Sequence, residues 1–539
     1  MNTFCHTLFI SLLMCIQVMN IFAQKPASQE IPDSATIGEP AAQPFHPLCF
    51  AGRKLVSSVT LPDSADIIKN QKKNIWRAGA EVIGLNIGLN AFDRYVLNGR
   101  YAQISWNTIK NNFSHGFEWD NDHLNTNMFA HPYNGSLYFN AGRSNGFNFW
   151  QSELFAIGGS AMWEMCMERE YPSTNDIIAT PIGGAAIGEV LYRTSDMITD
   201  DRTTGGERFG RELAAFVINP TRGLTRILTG DAWKRRSTSG RRFGIPPVSM
   251  NVSLGGRYLT LWDNDEGTQA GAVAEIEIEY GDQYAEQYAE QTRTPYDWFS
   301  FFMELQAVKT QPLLSRVEII GRLFSKEVIN RKKLNVSVGM YQHFDFFDSD
   351  TIKWNANPNR LSPCVVPYKL GTPASFGAGT MFRYQPAKSM VFNGFIHANA
   401  VILGGILTDF YRDYHRNYNW GSGFSIKADL DCVFFDNKLL LSLRNQFYQL
   451  YTWKGYDQKF DWSLTPHGTP VNVQGDKSHS TFNHFEAELS YKIGKRMYLA
   501  AEFGTFIRNT RYKIWLDYNY YPRIESKQIN AELTLKYVI

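Results

Sequence analysis

The sequence predicts an α+β fold, in which an N-terminal helical domain precedes an antiparallel transmembrane β-barrel of about twelve strands. Three observations predict it: an apolar leader, a hydrophobic period that changes near residue 240, and strands that alternate between polar and apolar residues. The last strand shows the alternation best, from Gln528 to Tyr537, and Ile539 continues its apolar side. Successive side chains of a strand point to opposite faces, so one face is apolar and the other is polar. A strand of this kind at the end of a chain is typical of a barrel that closes on its first strand.

The same alternation recurs upstream, and an even number of segments suits a bacterial single-chain barrel. About twelve segments show it: 247–261, 270–281, 297–309, 314–326, 332–346, 368–384, 389–405, 421–435, 438–453, 482–493, 497–512 and 526–539. A large soluble β-sandwich or barrel with one dry face is the alternative. Aromatic residues near the segment ends favour the membrane, where they form interfacial girdles. They are Trp298, Tyr341, Phe346, Trp420, Tyr451, Trp453 and Tyr498.

The start of the chain predicts export. Residues 1–23 are expected to be a signal peptide, because Leu8–Phe22 is apolar but too short to span a bilayer. No later stretch offers eighteen uncharged apolar residues, so no inner-membrane anchor is expected. The predicted order is a flexible lead-in at 24–65, a helical domain at 66–240 and the barrel at 241–539. The expected location is the outer membrane of a Gram-negative cell, with outer-membrane lipid and the barrel assembly machinery as partners.

Composition excludes several classes of function. The net charge of +2 is too balanced to indicate nucleic acid. The four cysteines after the leader (Cys49, Cys166, Cys364 and Cys432) form no C-x-x-C pair, which argues against a zinc knuckle and a disulfide framework. Neither G-x-S-x-G nor H-E-x-x-H occurs. No cofactor and no bound metal are predicted.

The helical domain begins with a regular apolar stripe. Apolar residues follow one another at spacings of three and four residues: Ile75, Ala78, Val82, Leu85, Leu89, Phe92 and Val96. Gly84 and Gly88 lie beside this stripe, and Gly184 and Gly188 lie on a later segment. Glycines four residues apart allow helix backbones to approach closely, so both pairs predict tight helix packing.

A set of motifs in the helical domain resembles a known family. The motifs are H-P-Y-N-G-S-L-Y-F-N-A-G-R at 131–143, S-A-M-W-E at 160–164, Y-P-S-T-N-D at 171–176, G-G-A-A-I-G-E at 183–189 and N-P-T-R-G-L-T-R at 219–226. Over residues 110–230 the chain resembles domain-of-unknown-function family 3943, from the Gram-negative envelope. The resemblance implies a helical domain ahead of a barrel and implies no activity. A fainter similarity, in the order of His, Glu and Asp, points to VanZ-like membrane proteins.

His131, Glu164 and Asp176 are the candidate site residues. They are predicted to lie on successive helices, and if those faces converge, an imidazole and carboxylates meet beside glycines. Such a set suffices for general acid–base hydrolysis or for a divalent cation. A structural polar network explains the same residues. His131 precedes Pro132 and suits a kinked turn, Glu164 could pair with His131 or Arg143, and Asp176 fits an S-x-x-D capping box with Ser173.

Three functions follow from these observations. The first is a structural or ligand-binding envelope protein, in which the helical domain plugs or caps the barrel. The second is an outer-membrane hydrolase that modifies lipid or glycan through His131, Glu164 and Asp176. The third is a narrow, substrate-selective channel. Mixed charges on the lumen faces favour a filled interior over an open pore.

Overall fold

A computed structural model describes residues 72–262, 264–283, 294–354, 364–410, 416–456, 472–513 and 523–539, with only the backbone at 264–266. The expected signal peptide and lead-in lie outside the described residues. The structure has the predicted architecture, which is a helical N-terminal region followed by a closed antiparallel barrel of twelve strands. The predicted domain boundaries stay predictions.

Seven α-helices lie within the described residues. They are α1 (Ile75–Tyr95), α2 (Trp106–His115), α3 (His131–Ser144), α4 (Phe149–Met162), α5 (Asp176–Ile198), α6 (Gly205–Ile218) and α7 (Pro220–Leu228). Two π-helical turns, Thr126–Ala130 and Trp163–Met167, precede α3 and follow α4. In the described part of the chain, no helix combines the length and the apolar character that crossing a membrane requires.

Twelve strands form the barrel, and each overlaps one of the predicted segments. They are β1 (Val248–Leu261), β2 (Asn264–Tyr280), β3 (Phe299–Val308), β4 (Leu314–Arg331), β5 (Leu334–Asp348), β8 (Lys369–Ala387), β9 (Met390–Leu407), β10 (Tyr418–Phe434), β11 (Leu439–Tyr451), β12 (Ser478–Lys492), β13 (Met497–Tyr512) and β14 (Arg523–Val538). The short strands β6 (Lys353–Trp354) and β7 (Cys364–Val365) pair outside the barrel. The barrel closes because β14 pairs with β1, from Asn251 opposite Val538 to Leu261 opposite Gln528.

The polar faces of the strands point into the lumen and fill it. Four ion pairs join strands that are not neighbours: Arg316–Glu486, Arg444–Glu277, Arg257–Glu304 and Lys427–Asp345. An aromatic layer lies beside them (Phe347, Tyr368, Tyr448, Phe482 and Phe506), and a small apolar layer lies near the chain terminus (Val391, Val433, Leu440, Tyr498 and Val538). A cavity of about 60 Å³ lies beside the ion pairs, which is room for several waters.

The helices pack against the outer face of the barrel. Ile276 on β2 lies between the lumen residues Glu275 and Glu277, so its side chain points outward, and it is buried against the helices. Met303 and Val317, which are paired in register with this row, are buried in the same way. Gln342 on β5 donates to the Ile182 carbonyl at 2.8 Å. The predicted plug or cap is therefore wrong, because the described helices cover the outside of the wall while the barrel's own side chains fill the lumen.

The helical region buries polar side chains beside its apolar core and exposes many apolar ones. On α1 the side chains of Glu81, Asn86 and Asn90 are buried, and Asn90 donates to the Met167 carbonyl at 2.8 Å. The opposite face of α1 is exposed and apolar (Trp76, Ile83, Ile87, Phe92 and Tyr95), as are positions on α4, α6 and α7 (Trp150, Leu154, Ile157, Phe209, Leu213, Phe216, Leu224 and Ile227). Water-soluble domains show the reverse arrangement.

The outward face of the barrel away from the helices is also exposed and apolar. On β14, Leu533 and Leu535 are exposed, whereas Glu532 and Lys536 are buried in the lumen. This alternation confirms the two faces predicted for the last strand. A closed antiparallel barrel with an apolar outer band is the form that spans outer membranes, so this protein is an outer-membrane β-barrel.

Most of the predicted aromatic girdle is wrong. Trp298, Tyr341 and Tyr498 lie among lumen residues and are buried. Phe346 and Trp420 point outward but are covered by the helical region. Among the predicted girdle residues, Trp453 is the one with a largely exposed side chain.

One of the two glycine pairs packs as predicted. A side chain at Gly184 on α5 would meet backbone atoms of Gly135 on α3 at 2.5 Å, so the two helices touch through their backbones. Gly188 lies against Phe139 in the same contact. A Cβ added at Gly84 or Gly88 would meet no atom of another described element within 4 Å, and both glycines lie on the exposed face of α1.

Candidate functional site

The candidate residues lie where the two π-helical turns meet the start of α5. The turn Thr126–Ala130 leads directly into His131, the first residue of α3, and the turn Trp163–Met167 contains Glu164. Asp176 is the first residue of α5. The π turn is rare and occurs often at functional sites, so two of them at one location mark this cluster as unusual backbone.

His131 and Asp176 are brought together. His131 Nε2 lies 3.9 Å from Asp176 Oδ2 and 3.9 Å from Asp122 Oδ2. This nitrogen is buried and has no hydrogen-bond partner among the described residues, although the His131 side chain as a whole is 14% exposed. The gap of 3.9 Å exceeds a hydrogen bond and leaves the nitrogen facing two carboxylates.

Glu164 lies beside this pair and has a different contact. Its Oε2 accepts a hydrogen bond from the backbone nitrogen of Ser173 at 2.7 Å, just before α5 begins. The predicted pairing of Glu164 with Arg143 is wrong, because Arg143 makes a bidentate pair with Glu189 at 2.6 and 2.8 Å. The predicted capping box is not formed either: Asp176 lies in the first turn of α5, no side chain caps the start of this helix, and Asn175 donates to Asp176 Oδ1 at 2.9 Å.

Three further residues complete the cluster. Asp120 accepts from Asn127 Nδ2 at 2.6 Å, and one ligand atom each from Asp120, Asp122 and His131 lie within 4.8 Å of one another. The barrel contributes Tyr418, whose hydroxyl accepts from Asn127 and donates to the Asp122 carbonyl at 3.0 Å. The site is therefore a seam between the helical region and the first residues of β10.

Sequence reasoning did not identify Asp120, Asp122 or Tyr418. Asp120 and Asp122 lie in the non-helical segment after α2 and have no periodic signal, and Tyr418 lies about 290 positions further along the chain. The alternation W-D-N-D at 119–122 was the signal that could have identified the two aspartates, since closely spaced carboxylates are a common ligand pattern.

The electrostatics of the cluster favour protonated groups. Burial raises the pKa of Glu164 to about 7, and it raises the pKa of Asp176 well above its usual range although His131 opposes the shift. Burial disfavours the imidazolium form of His131, but Asp176 and Asp122 outweigh that effect and hold its pKa well above the usual value. The arrangement places a proton donor among carboxylates, which is what general acid–base chemistry requires.

Comparison with known proteins supports the family resemblance. Residues 116–221 match the family described as "Domain of unknown function (DUF3943)". This segment contains every member of the cluster except Tyr418. The comparisons do not support the fainter similarity to VanZ-like proteins, and no curated protein matches the chain significantly.

Solved structures with similarity to the chain are outer-membrane barrels. The NanC porin is 10% identical with a TM-score of 0.23, covering 53% of this chain and 98% of its own. The KdgM porin is 8% identical with a TM-score of 0.22, covering 53% and 98%. The outer-membrane channel DcaP of Acinetobacter baumannii is 8% identical with a TM-score of 0.21, covering 54% and 96%. These TM-scores are low, and the barrel assignment rests on this chain's own strand pairing.

Proposed function

We propose that the protein is a lipid-binding outer-membrane barrel, whose helical region lies in the bilayer beside the wall and binds a lipid with its head group at the His131 cluster. The observation that supports this function is the broad exposed apolar face of the helical region, whose polar side chains Glu81, Asn86 and Asn90 are buried. Its exposed apolar face adjoins the apolar outer band of the barrel, and bilayer lipid is the solvent that matches both surfaces.

The strand connections support a place for the cluster in the outer leaflet. At the end that holds the chain terminus, the connections 332–333, 388–389, 435–438 and 493–496 have two to four residues, and 281–298 is the long exception. At the other end, 349–368, 408–417, 452–477 and 513–522 are long, and 262–263 and 309–313 are short. Outer-membrane barrels have short periplasmic turns and long extracellular loops. Tyr418 directly follows one of the long connections, so the cluster beside it is expected at the level of the extracellular head groups.

Site-specific photo-crosslinking tests the position of the helical region. A benzophenone side chain at Ile87, on the exposed face of α1, is expected to form lipid adducts in intact outer membranes. The same probe at Lys333, in a short turn, is the matched control and is expected to yield few. If lipid adducts form at Lys333 but not at Ile87, the helical region does not lie in lipid. That result would contradict the proposed function.

A second candidate function is hydrolysis of the bound lipid or glycan. The specific observation in its favour is His131 Nε2, which is buried, lacks a hydrogen-bond partner in the described residues and faces two carboxylates. A water or a substrate oxygen placed in that gap can exchange a proton with the imidazole, and the carboxyl groups of Asp122 and Asp176 line the gap. Glu164 serves as a positioning residue in this proposal, because it fixes the backbone before α5.

Replacement of His131 distinguishes between a lipid-binding site and a structural polar network at the His131 cluster. For a site, His131→Ala and Asp176→Asn are expected to leave the amount of folded protein in the membrane near normal, while co-purified lipid falls at least tenfold. A structural network predicts the opposite, since an unpaired buried carboxylate costs about 1–3 kcal/mol or more and lowers the folded amount. In that case, replacing His131 and Glu164 together by apolar residues restores much of the loss. His115→Ala, at a half-exposed histidine outside the cluster, is the control.

We also propose the domain boundaries, with a helical domain at residues 66–240 and a barrel at residues 241–539. Delivery by the barrel assembly machinery is part of the same proposal. A helical region that lies against the outer wall has to reach lipid while the barrel closes. Truncation after residue 240 tests whether the helical region depends on the barrel. The isolated helical region is expected to be degraded, because its apolar face then has neither the barrel wall nor the membrane to cover it.

A further inference from the structure

Three glutamates converge inside the barrel, far from the helical cluster. Glu275 on β2, Glu502 on β13 and Glu532 on β14 each place a carboxylate oxygen within 4.8 Å of the other two. The register enforces the approach, because Glu488, Glu502 and Glu532 lie directly opposite one another across β12, β13 and β14. Like charges at directly opposed positions destabilise a sheet, so this row needs a compensating partner.

The protein's own cations leave much of this charge uncompensated. Arg257 binds Glu532 Oε1 at 2.5 Å and Glu304 Oε1 at 2.5 Å, and Lys536 binds both oxygens of Glu488 at 2.6 Å. Glu275 and Glu502 each pair with a neighbouring strand through their backbones, but their side chains form no hydrogen bond or ion pair within the described residues. Two cations, Arg257 and Lys536, are thus surrounded by five carboxylates. These are Glu275, Glu304, Glu488, Glu502 and Glu532.

One oxygen of the cluster is buried and unused. Glu532 Oε2 has no hydrogen-bond partner in the described part of the chain, and the Glu532 side chain is 1% exposed. An ionised carboxylate oxygen in this position is costly unless it is paired or coordinates a metal. Because Oε1 of the same residue is held by Arg257, Oε2 is the oxygen that is free to face Glu275 and Glu502.

We propose that Glu275, Glu502 and Glu532 bind a divalent cation of the calcium class in the lumen. The three ligands are hard oxygens, which calcium prefers, and the cluster has no histidine or cysteine that would favour zinc. The ligands come from β2, β13 and β14, which flank β1 on both sides. The ion therefore joins the last two strands to the first hairpin and holds the closing seam of the barrel together.

Shared protons are the competing explanation for the cluster, since carboxylic acids at such distances can hydrogen-bond one another. The two explanations differ in how the repulsion between the three carboxylates is relieved, by a bound cation or by protons. A cation makes stability depend on calcium, whereas shared protons make it depend on pH alone. The test therefore compares calcium and chelator at a fixed neutral pH.

The protein is refolded into detergent without lipopolysaccharide, and calcium binding is measured by equilibrium dialysis alongside thermal unfolding. The wild-type protein is expected to bind calcium at this site and to unfold several degrees higher in calcium than in chelator. In the double variant Glu275→Gln/Glu502→Gln both effects are expected to disappear, and in chelator this variant should be at least as stable as the wild type. The double variant Glu327→Gln/Glu525→Gln removes the same charge outside the cluster and keeps both effects.

The variant Asp122→Asn tests whether the measured calcium binds in the helical cluster instead. It removes a carboxylate of that cluster and is expected to leave calcium binding in the lumen unchanged. If the double variant does not fold, the single variant Glu502→Gln decides: a tenfold weaker calcium affinity supports the proposal, and an unchanged affinity overturns it. A wild-type protein that binds no calcium, or a double variant that keeps the calcium response, also overturns it. None of these results depends on the lipid-binding role of the helical region.

Discussion

The acids around His131 determine how the helical region responds to pH. Glu164 has a folded pKa of about 7, above the ordinary value of 4.5, and the pKa of Asp176 is raised in the same direction. A group whose pKa is raised by folding stabilises the fold fully below its unfolded pKa and loses that contribution as the pH rises through the folded pKa. For Glu164 the window runs from about pH 4.5 to just above pH 7.

Glu164→Gln is therefore expected to make the helical region less sensitive to pH. The amide oxygen can still accept the hydrogen bond from Ser173, while the cost of a buried charge disappears. For the wild type, the free energy of unfolding is expected to fall by up to about 3 kcal/mol between pH 5 and pH 8.5 through this group, from the shift in pKa. Urea unfolding followed by the helical circular dichroism signal measures it. Glu170→Gln, at an exposed position, is the control, and an unchanged pH dependence in Glu164→Gln contradicts the prediction.

At the residue scale, a second network joins the helical region to the barrel. Glu189 is buried between Arg143 and Arg193, which bind it at 2.6–2.8 Å. Arg193 also donates to Thr294 Oγ1 and to the Pro295 carbonyl, both at 2.8 Å, in the connection between β2 and β3. The charged groups of Arg143, Glu189 and Arg193 are all paired and hydrogen-bonded, so this network fixes the position of α5 on the barrel wall.

At the element scale, the crossing of α3 and α5 brings His131 to Asp176. The two helices touch through Gly135 and Gly184, where an added Cβ would overlap backbone atoms of the other helix. Small residues at such a crossing allow close packing where burial from water supplies no driving force between helices, as in a bilayer. The distance of 3.9 Å from His131 to Asp176 thus depends on glycines one to two turns away.

Gly184→Val is expected to separate α3 from α5 and to disrupt the cluster. Overpacking of a tight contact costs typically about 1–3 kcal/mol, and here the obstructing atoms are backbone, which cannot move aside easily. The folded amount in membranes and protease resistance of the helical region are the measurements. Gly158→Val, on the exposed face of α4 with open space around it, is the matched control. Equal effects of the two substitutions would argue against the tight crossing.

At the scale of the whole molecule, the barrel is a filled scaffold. Ion pairs cross the lumen between strands that are not neighbours, and an aromatic layer lies toward the long connections. Such a lumen does not favour the narrow channel among the three predicted functions. It favours a barrel whose outer wall, with the helical region against it, is the working surface.

The filled lumen predicts that the purified protein shows no steady conductance in planar bilayers. The double variant Arg316→Ala/Arg444→Ala removes two guanidinium groups that cross the lumen and leaves Glu486 and Glu277 repelling one another. This variant is expected to conduct, with a preference for cations. Arg511→Ala, at an exposed position near the long connections, should remain silent. Steady conductance of the wild-type protein would restore the channel as the leading function.

The sequence by itself determined the strands, because the two-residue period of a barrel strand is local. Leu533 and Glu532 are neighbours that face lipid and lumen, and their alternation predicts both faces without knowledge of any contact. The spacing of the glycines did not suffice in the same way, because Gly84 and Gly88 are spaced like Gly184 and Gly188 but lie on an exposed face.

Only the tertiary structure decided where the helices lie and what surrounds His131. An apolar stripe shows that a helix has an apolar side, but it does not show whether that side faces protein or lipid. On α1 the buried face proved to hold Glu81 and Asn86, whereas Ile83 and Ile87 are exposed. Asp122, Tyr418 and the three lumen glutamates likewise come from distant positions, and their convergence depends on barrel register and helix docking, which no local pattern specifies.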